Sequence, residues 1–174
     1  MKNRDLPQKE RPAAPYRRGR AWLRPYRPRQ LETLRGLMAR YFREDLQLPV
    51  TDAQADELAR EMAGDIRYGV PLELLWLHGH AVGFIDYQID RPGGSWCFHP
   101  GRGCIRECYL LPEVRGCGLG RQMAQRAERR LRRRGARRVY LTADTAAPFW
   151  QALGYADSGR VNEKNDLHEW EKDL

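Results

Sequence analysis

The stretch Tyr109-Leu110-Leu111-Pro112-Glu113-Val114-Arg115-Gly116-Cys117-Gly118-Leu119-Gly120 gathers residue types suited to holding a phosphate. An apolar strand runs into a Pro-Glu turn. An arginine and glycines at every second position come next, and a long arginine-rich helix follows at once. Bare glycines let a backbone approach a ligand closely, and a helix start offers unpaired N–H groups and positive dipole charge. A lone glycine pair would read as an ordinary turn between strand and helix. The complete string reads as a pyrophosphate site.

Two commoner phosphate motifs are excluded. A P-loop ends in Gly-Lys-Ser/Thr, whereas Gly120 is followed by Arg121-Gln122. A dinucleotide fingerprint beginning at Gly118 needs a final glycine where Met123 stands, and one beginning at Gly116 falls out of register at Leu119-Gly120-Arg121.

The elements that must position this loop follow from hydrophobic period and turn residues. Residues 21–26 read as a short strand ending near Pro25. Leu31, Leu34, Leu37, Met38, Tyr41 and Phe42 recur at helical spacing. Thr51-x-x-Gln54 is a capping box for a second helix with Leu58, Met62 and Ile66 on one face. Residues 73–77 and 81–89 form a hairpin about His78-Gly79-His80, with both histidines decorating the turn. Residues 91–102 are a loop, whose Trp96, Phe98 and His99 have pocket lining as an alternative role. The strand at 105–111 places Ile105, Glu107, Tyr109 and Leu111 on one face by simple alternation, and Arg106, Cys108 and Leu110 on the other. After the glycine loop comes a helix burying Met123, Ala124, Ala127 and Leu131 and stopping at Gly135. A strand at 139–142, a short helix at about 147–153, and strands at 156–161 and 167–170 complete the chain. The order β-α-α-β-β-β-α-β-α-β-β predicts an α/β fold: a mixed, mostly antiparallel central sheet with flanking helices and one parallel pairing around residues 105–142.

The chain has 174 residues and a net charge of +8. Ten arginines and a single acid, Glu128, between Arg115 and Arg138 put +9 in that segment, so the remainder is about neutral. Such a patch attracts anions, nucleic acid among them. Residues 1–19 are polar, Pro-bearing and basic, and read as a disordered arm ahead of a single domain at 20–174. Cys97, His99, Cys104 and Cys108 match no common zinc spacing, so no metal is expected. No apolar run reaches membrane-spanning length and the start lacks a signal-peptide segment, which predicts a cytoplasmic protein without a membrane partner.

Arg115-Gly116-Cys117-Gly118-Leu119-Gly120 resembles the acyl-CoA-binding motif of the GNAT superfamily of N-acetyltransferases, Gln/Arg-x-x-Gly-x-Gly/Ala, with no position missing. Ala81-Val82-Gly83-Phe84 and Ile105 to Leu110 look like the family's third and fourth strands. Residues 146–155 look like its Ala-x-x-Phe-Tyr-x-x-x-Gly-Phe segment. The resemblance implies the same fold, with the fourth and fifth strands splayed to admit a pantetheine arm. It implies acetyl-CoA as co-substrate and an amine as acceptor. It maps carbonyl-binding backbone N–H groups to Tyr109, Leu110 and Leu111, and pyrophosphate-binding ones to Gly116, Cys117, Gly118, Leu119, Gly120 and Arg121, with Arg115 adding charge.

Acetyl transfer also needs a base and a proton for the leaving thiolate. Glu107 is the candidate base, the alternative being an ion pair with a nearby arginine. Trp150 stands where the family usually has a tyrosine acid, and an indole N–H has no useful proton to give. Trp150 is instead expected to pack against the thioester end of the cofactor. Tyr155, Tyr109 or water remain as donors, and Tyr155 also reads as core. The rival to an N-acetyltransferase is a non-catalytic protein that binds CoA, nucleic acid or another anion. Aromatic residues are absent among the arginines, and no nucleic-acid module is recognisable, which argues against nucleic acid. Monomer and homodimer are both compatible with the sequence.

Overall fold

The computed structural model describes residues 20–94 and 96–174; the basic arm predicted for residues 1–19 lies outside them. The strands are β1 (Trp22–Pro25), β2 (Leu72–Leu77), β3 (His80–Ile89), β4 (Gly103–Leu110), β5 (Arg138–Thr142), β6 (Ala156–Val161) and β7 (His168–Asp173). The helices are α1 (Leu31–Arg40), α2 (Asp52–Gly64), α3 (Leu119–Arg133) and α4 (Ala147–Gln151). One seven-stranded sheet runs β1-β2-β3-β4-β5-β7-β6. Every pairing is antiparallel except β4 with β5. A parallel pair needs a crossover, and α3 supplies it. The mixed, mostly antiparallel α/β architecture expected from the sequence is the one observed.

Local chemistry explains the boundaries. Thr51 caps α2: its hydroxyl accepts from the Gln54 N–H at 3.2 Å while its own N–H donates to Gln54 Oε1 at 2.8 Å. His78 and Gly79 both have positive φ, 50° and 82°, as a tight turn between twisted strands requires. α1 does not stop at Arg40 but runs on into a π segment, Tyr41–Asp45. α2 buries Ala55, Ala59 and Met62 rather than the predicted Leu58–Met62–Ile66 stripe. Ile66 falls in a 3-10 turn over Asp65–Tyr68, whose tighter period swings it out to solvent.

The sheet separates two apolar layers. On one face Leu34, Leu37 and Met38 of α1 and Ala59 and Met62 of α2 pack on Leu72, Leu74, Phe84 and Tyr109. On the other, Met123, Ala124, Ala127 and Leu131 of α3 pack on Leu75, Ile85, Tyr87, Ile105 and Val139. β4 therefore departs from simple alternation, since Ile105 faces α3 while Tyr109 faces α1. The register explains it: Tyr87 is opposite Ile105 but Asp86 is opposite Glu107, so Arg106 is an extra, bulged residue.

Two glycines make the packing testable. A Cβ on Gly83 of β3 would lie 2.4 Å from the Tyr109 carbonyl oxygen, a backbone atom that cannot yield without parting β3 from β4. A Cβ on Gly36, inside α1, would meet nothing within 4 Å. Gly83→Ala should cost roughly 1–3 kcal/mol in urea unfolding, whereas Gly36→Ala should add about 0.5–1 kcal/mol. Equal midpoints for the two variants would disprove the close approach of β3 and β4.

Candidate active site

β4 and β5 pair only where both begin, at Gly103↔Val139 and Cys104↔Tyr140. The bulge at Arg106 lies two residues beyond the last of these pairs, at Cys104. Bulges bend and overtwist their strand. Beyond it β4 continues to Leu110 beside no β5 partner, and a wedge opens between the carboxyl ends of the two strands.

The glycine loop lies at the mouth of this wedge. Pro112–Val114 form one 3-10 turn, and buried Val114 anchors it. Gly116 and Gly118 take φ of 77° and 82°, and a Cβ on either would meet no neighbour within 4 Å, so open space borders both. Gly118 is the N-cap of α3 and has no side chain to cap it. The first intrahelical bond is donated by Gln122 to the Gly118 carbonyl. The N–H groups of Leu119, Gly120 and Arg121 precede that bond and present an uncapped positive helix end. Gly120 has a packing reason as well, because a Cβ there would touch the Phe149 ring at 3.1 Å. Cys117 is exposed. Arg121 donates to the Ala152 carbonyl at 3.2 Å.

Arg115 is not directed solely at the open side. Its Nε donates to the Leu110 carbonyl at 2.7 Å and its Nη2 meets Asp45 at 2.5 Å, so its charge is already balanced by the π segment. Of the three backbone donors at the end of β4 and just past it, the Leu111 N–H is held by the Val82 carbonyl at 2.9 Å. N–H groups alternate sides along a strand, so Tyr109 also faces β3 and Leu110 faces the wedge. The carbonyl and ring contacts agree: the Leu110 carbonyl is the one that Arg115 reaches, and Tyr109 stacks with Phe84 and Tyr41.

The bulge turns Arg106 and Glu107 to the same face, toward α1 and α2. Glu107 is half-buried and accepts a hydrogen bond from the Tyr41 hydroxyl at 2.6 Å. Burial raises its pKa above the ordinary glutamate value, with the Tyr41 bond and the Arg106 charge opposing. Its register partner Asp86 is 1% exposed, and its Oδ1 has no hydrogen-bond partner. Burial pushes Asp86 up to about 7, against the pull of Arg106, whose Nε stands 3.8 Å away; Glu107 adds to the rise. Arg106 makes its close bond to Asp65, at 2.6 Å. Neither Asp86 nor Tyr41 was singled out from the sequence. Asp86 had a signal, an acid inside the apolar run 81–89, but Tyr41 read as one more apolar position of a helix.

The aromatic residues distribute differently from the motif's order. Trp150, 5% exposed, packs edge-on to Phe149 and Tyr155 in the α3-side core. Phe149 is the exposed ring of the pair and the one bordering the loop at Gly120. Tyr155 is 3% exposed with an unpartnered hydroxyl. Burial first, then the Glu128 carboxylate, raise its pKa. Among the described residues no cluster of His, Cys, Asp and Glu has metal-binding geometry, and no helix is long and apolar enough to cross a membrane.

Comparison with known proteins adds a family. The model of the Acetyltransferase (GNAT) family matches residues 31–155. No curated protein matches the chain by sequence. Among solved structures, the PaiA N-acetyltransferase of Thermoplasma acidophilum in complex with coenzyme A superposes with a TM-score of 0.68 at 14% identity, covering 89% of this chain and 99% of that one. An acetyltransferase from Thermus thermophilus gives 0.69 at 22% identity over 88% and 97% of the two chains. The aminoglycoside N-acetyltransferase AAC(6')-Iy in complex with CoA gives 0.66 at 20% identity over 84% and 94%. At these identities the likeness establishes a shared fold.

The buried carboxylate of Asp86 has a consequence for stability. Its folded pKa, about 7, lies above the unfolded carboxylate value, so between those values the folded state binds more protons. Stability from this group is therefore lost as pH rises toward and through 7. Asp86→Asn should stabilise the fold at pH 8 by on the order of 1–3 kcal/mol, read as a higher Tm, and the gain should shrink toward pH 5. A gain independent of pH, or a loss at pH 8, would mean Asp86 is stabilised as an anion.

Proposed function

The chain belongs to the GNAT acetyltransferase family, and on that footing we propose that it moves an acetyl group from acetyl-CoA to a primary amine by direct attack in a ternary complex. The observation carrying this reading is the wedge between β4 and β5 with an uncapped helix N-terminus at its mouth. The continuous sheet supports treating residues 20–174 as one acetyltransferase domain.

The residues suit the steps. Backbone N–H groups from Gly116 to Arg121 hold the pyrophosphate against the α3 dipole, and the open space at Gly116 and Gly118 admits it. Arg115 holds the loop to β4 and the π segment rather than acting as a free cation. The Leu110 N–H, directed into the wedge, stabilises the thioester oxygen as charge develops. Tyr109 and Leu111 shape the strand around it. Glu107, oriented by Tyr41, accepts the proton from the attacking amine. The amine nitrogen bonds to the acetyl carbon, the carbon–sulfur bond breaks, and the thiolate leaves. Burial and a raised pKa weigh against Tyr155 as its proton donor, and solvent at the wedge serves instead. Phe149 borders the cofactor's phosphate end, and Trp150 supports it from the core.

Two measurements test this. Acetyl-CoA should bind by calorimetry and raise Tm. Gly118→Asn tolerates the positive φ that would strain a valine, and its side chain fills the open space; it should fold normally and lose most of the acetyl-CoA affinity. Unchanged affinity would reduce the loop to a turn.

In a thiol-release assay over a panel of amines, Glu107→Gln should lower kcat on the order of 100-fold at neutral pH with acetyl-CoA Kd preserved. The deficit should narrow as pH rises and the amine deprotonates unaided. Wild-type rates at every pH would remove Glu107 from the chemistry.

A further inference from the structure

About half of the arginines among the described residues pair with a carboxylate. Arg40 meets Glu44 and Glu113, Arg106 meets Asp65, and Arg160 meets Glu169 and Glu171. On α3 itself, Arg126 and Arg130 both reach Glu73. The far end of that helix and the turn after it gather five that do not. Arg129, Arg132, Arg133, Arg134 and Arg137 are exposed, and among the described residues none has a carboxylate within 4.0 Å. The negative end of the α3 dipole offsets only about half a unit charge.

Beside this end lies a cleft of about 770 Å³, lined by Asp65, Tyr68, Val70, Gln88, Arg91 and Arg134 among others. It sits at the opposite end of α3 from the glycine loop, between the close of β3 and the start of β2. Asp65 is committed to Arg106 and Gln88 to Asp90, which leaves Arg91 and Arg134 as the unbalanced charges of the lining. Tyr68 presents its ring to solvent at 67% exposure, with the Arg67 guanidinium 4.7 Å from the ring centroid. No aromatic residue stands among these arginines in sequence; the fold brings Tyr68 to them from the end of α2.

A flat exposed ring, cations around the same cleft and a cavity in the ~300–1,000 Å³ range of small-ligand sites are what a base and its phosphates require. An acidic peptide would engage the arginines but leave the ring and cleft without a role. A membrane surface would call for a broader apolar wedge than Ile66, the one exposed aliphatic residue of the turn that carries Tyr68. We propose that the cleft and the arginine end of α3 bind single-stranded nucleic acid, with a base stacked on Tyr68, its phosphates on Arg91 and Arg134, and the strand continuing over Arg132 and Arg133. This surface is independent of acetyl-CoA binding.

The test is fluorescence anisotropy of the full chain with labelled oligo-uridine and oligo-thymidine over a salt series. Arg132→Ser/Arg133→Ser/Arg134→Ser should weaken binding at least tenfold at low salt, and lower the log–log salt slope by about 2, near 0.7 per lost phosphate contact. A charge-matched control at β1 and the turn before α1, Arg24→Ser/Arg27→Ser/Arg29→Ser, should change affinity far less. Tyr68→Ala should cost roughly tenfold and Tyr68→Phe nearly nothing. Acetyl-CoA affinity should be the same in all of these variants, so failure here and failure of the acetyltransferase reading are separately visible. The proposal is overturned by absence of wild-type binding, by equal losses in the two triple variants, by a silent Tyr68→Ala, or by tighter binding to polyglutamate or to phosphatidylglycerol vesicles than to either oligonucleotide.

Discussion

β4 carries one residue more than β3 can match, and that residue, Arg106, sits where the sheet has to open. A bulged strand bends, and here the bend follows the last pair that β4 makes with β5. The wedge, the direction of the Leu110 N–H into it, and the side on which Glu107 emerges all depend on this insertion. Had alternation continued unbroken from Gly103, Glu107 would point with Ile105 into the apolar layer under α3, where Leu131 and Ala127 would leave its charge unpaired. The cost of such burial is several kcal/mol. The bulge avoids it by giving Glu107 to the α1 face, where Tyr41 meets it.

That face is nonetheless an expensive place for charge. Asp86 lies almost wholly out of water with one oxygen unpartnered, and Arg106 divides itself between Asp65 at 2.6 Å and Asp86 at 3.8 Å. Buried ion pairs and their imperfect versions commonly destabilise relative to apolar packing. A sheet optimised for stability would carry leucines here, as its neighbours Leu72 and Leu74 do on the same layer. The cluster is better understood through proton chemistry: two carboxylates opposite one another in register, one of them near pH 7, make each proton gained or lost at Glu107 depend on Asp86.

What could be read from sequence was what has a short-range cause. The Thr51 capping box, the His78-Gly79 turn, the stop at Gly135 and the loop from Arg115 to Gly120 each rest on a few adjacent residues, and each appears at its place. The bulge could not be read, because period-two reasoning presumes an unbroken register and nothing in Ile105-Arg106-Glu107 announces a slip. Arg115 illustrates the second limit. Beside three glycines it reads as a phosphate ligand, but its partner Asp45 belongs to a distant π segment. Phe149 and Trp150 illustrate a third: a motif orders two aromatic residues along the chain but does not say which turns outward at the helix surface, and here it is Phe149.

The π segment ties these parts together. Arg40, just before it, reaches Glu113 in the turn ahead of the glycine loop, while Asp45, at its end, receives Arg115. The two ion pairs cross the same joint with opposite polarity, one arginine from each side. Singly, exposed pairs of this kind contribute about 0–1 kcal/mol. Together with the Arg115 bond to the Leu110 carbonyl they fix the loop to the close of β4 and to the end of α1 at once. Between those two anchoring residues, on the same π segment, stands Tyr41, the donor that holds Glu107. The glycine loop and Glu107, the proposed phosphate site and proposed base, are therefore carried by one braced unit. Their separation is set before any ligand arrives, which is the condition for a bound thioester to meet its acceptor without a further ordering cost.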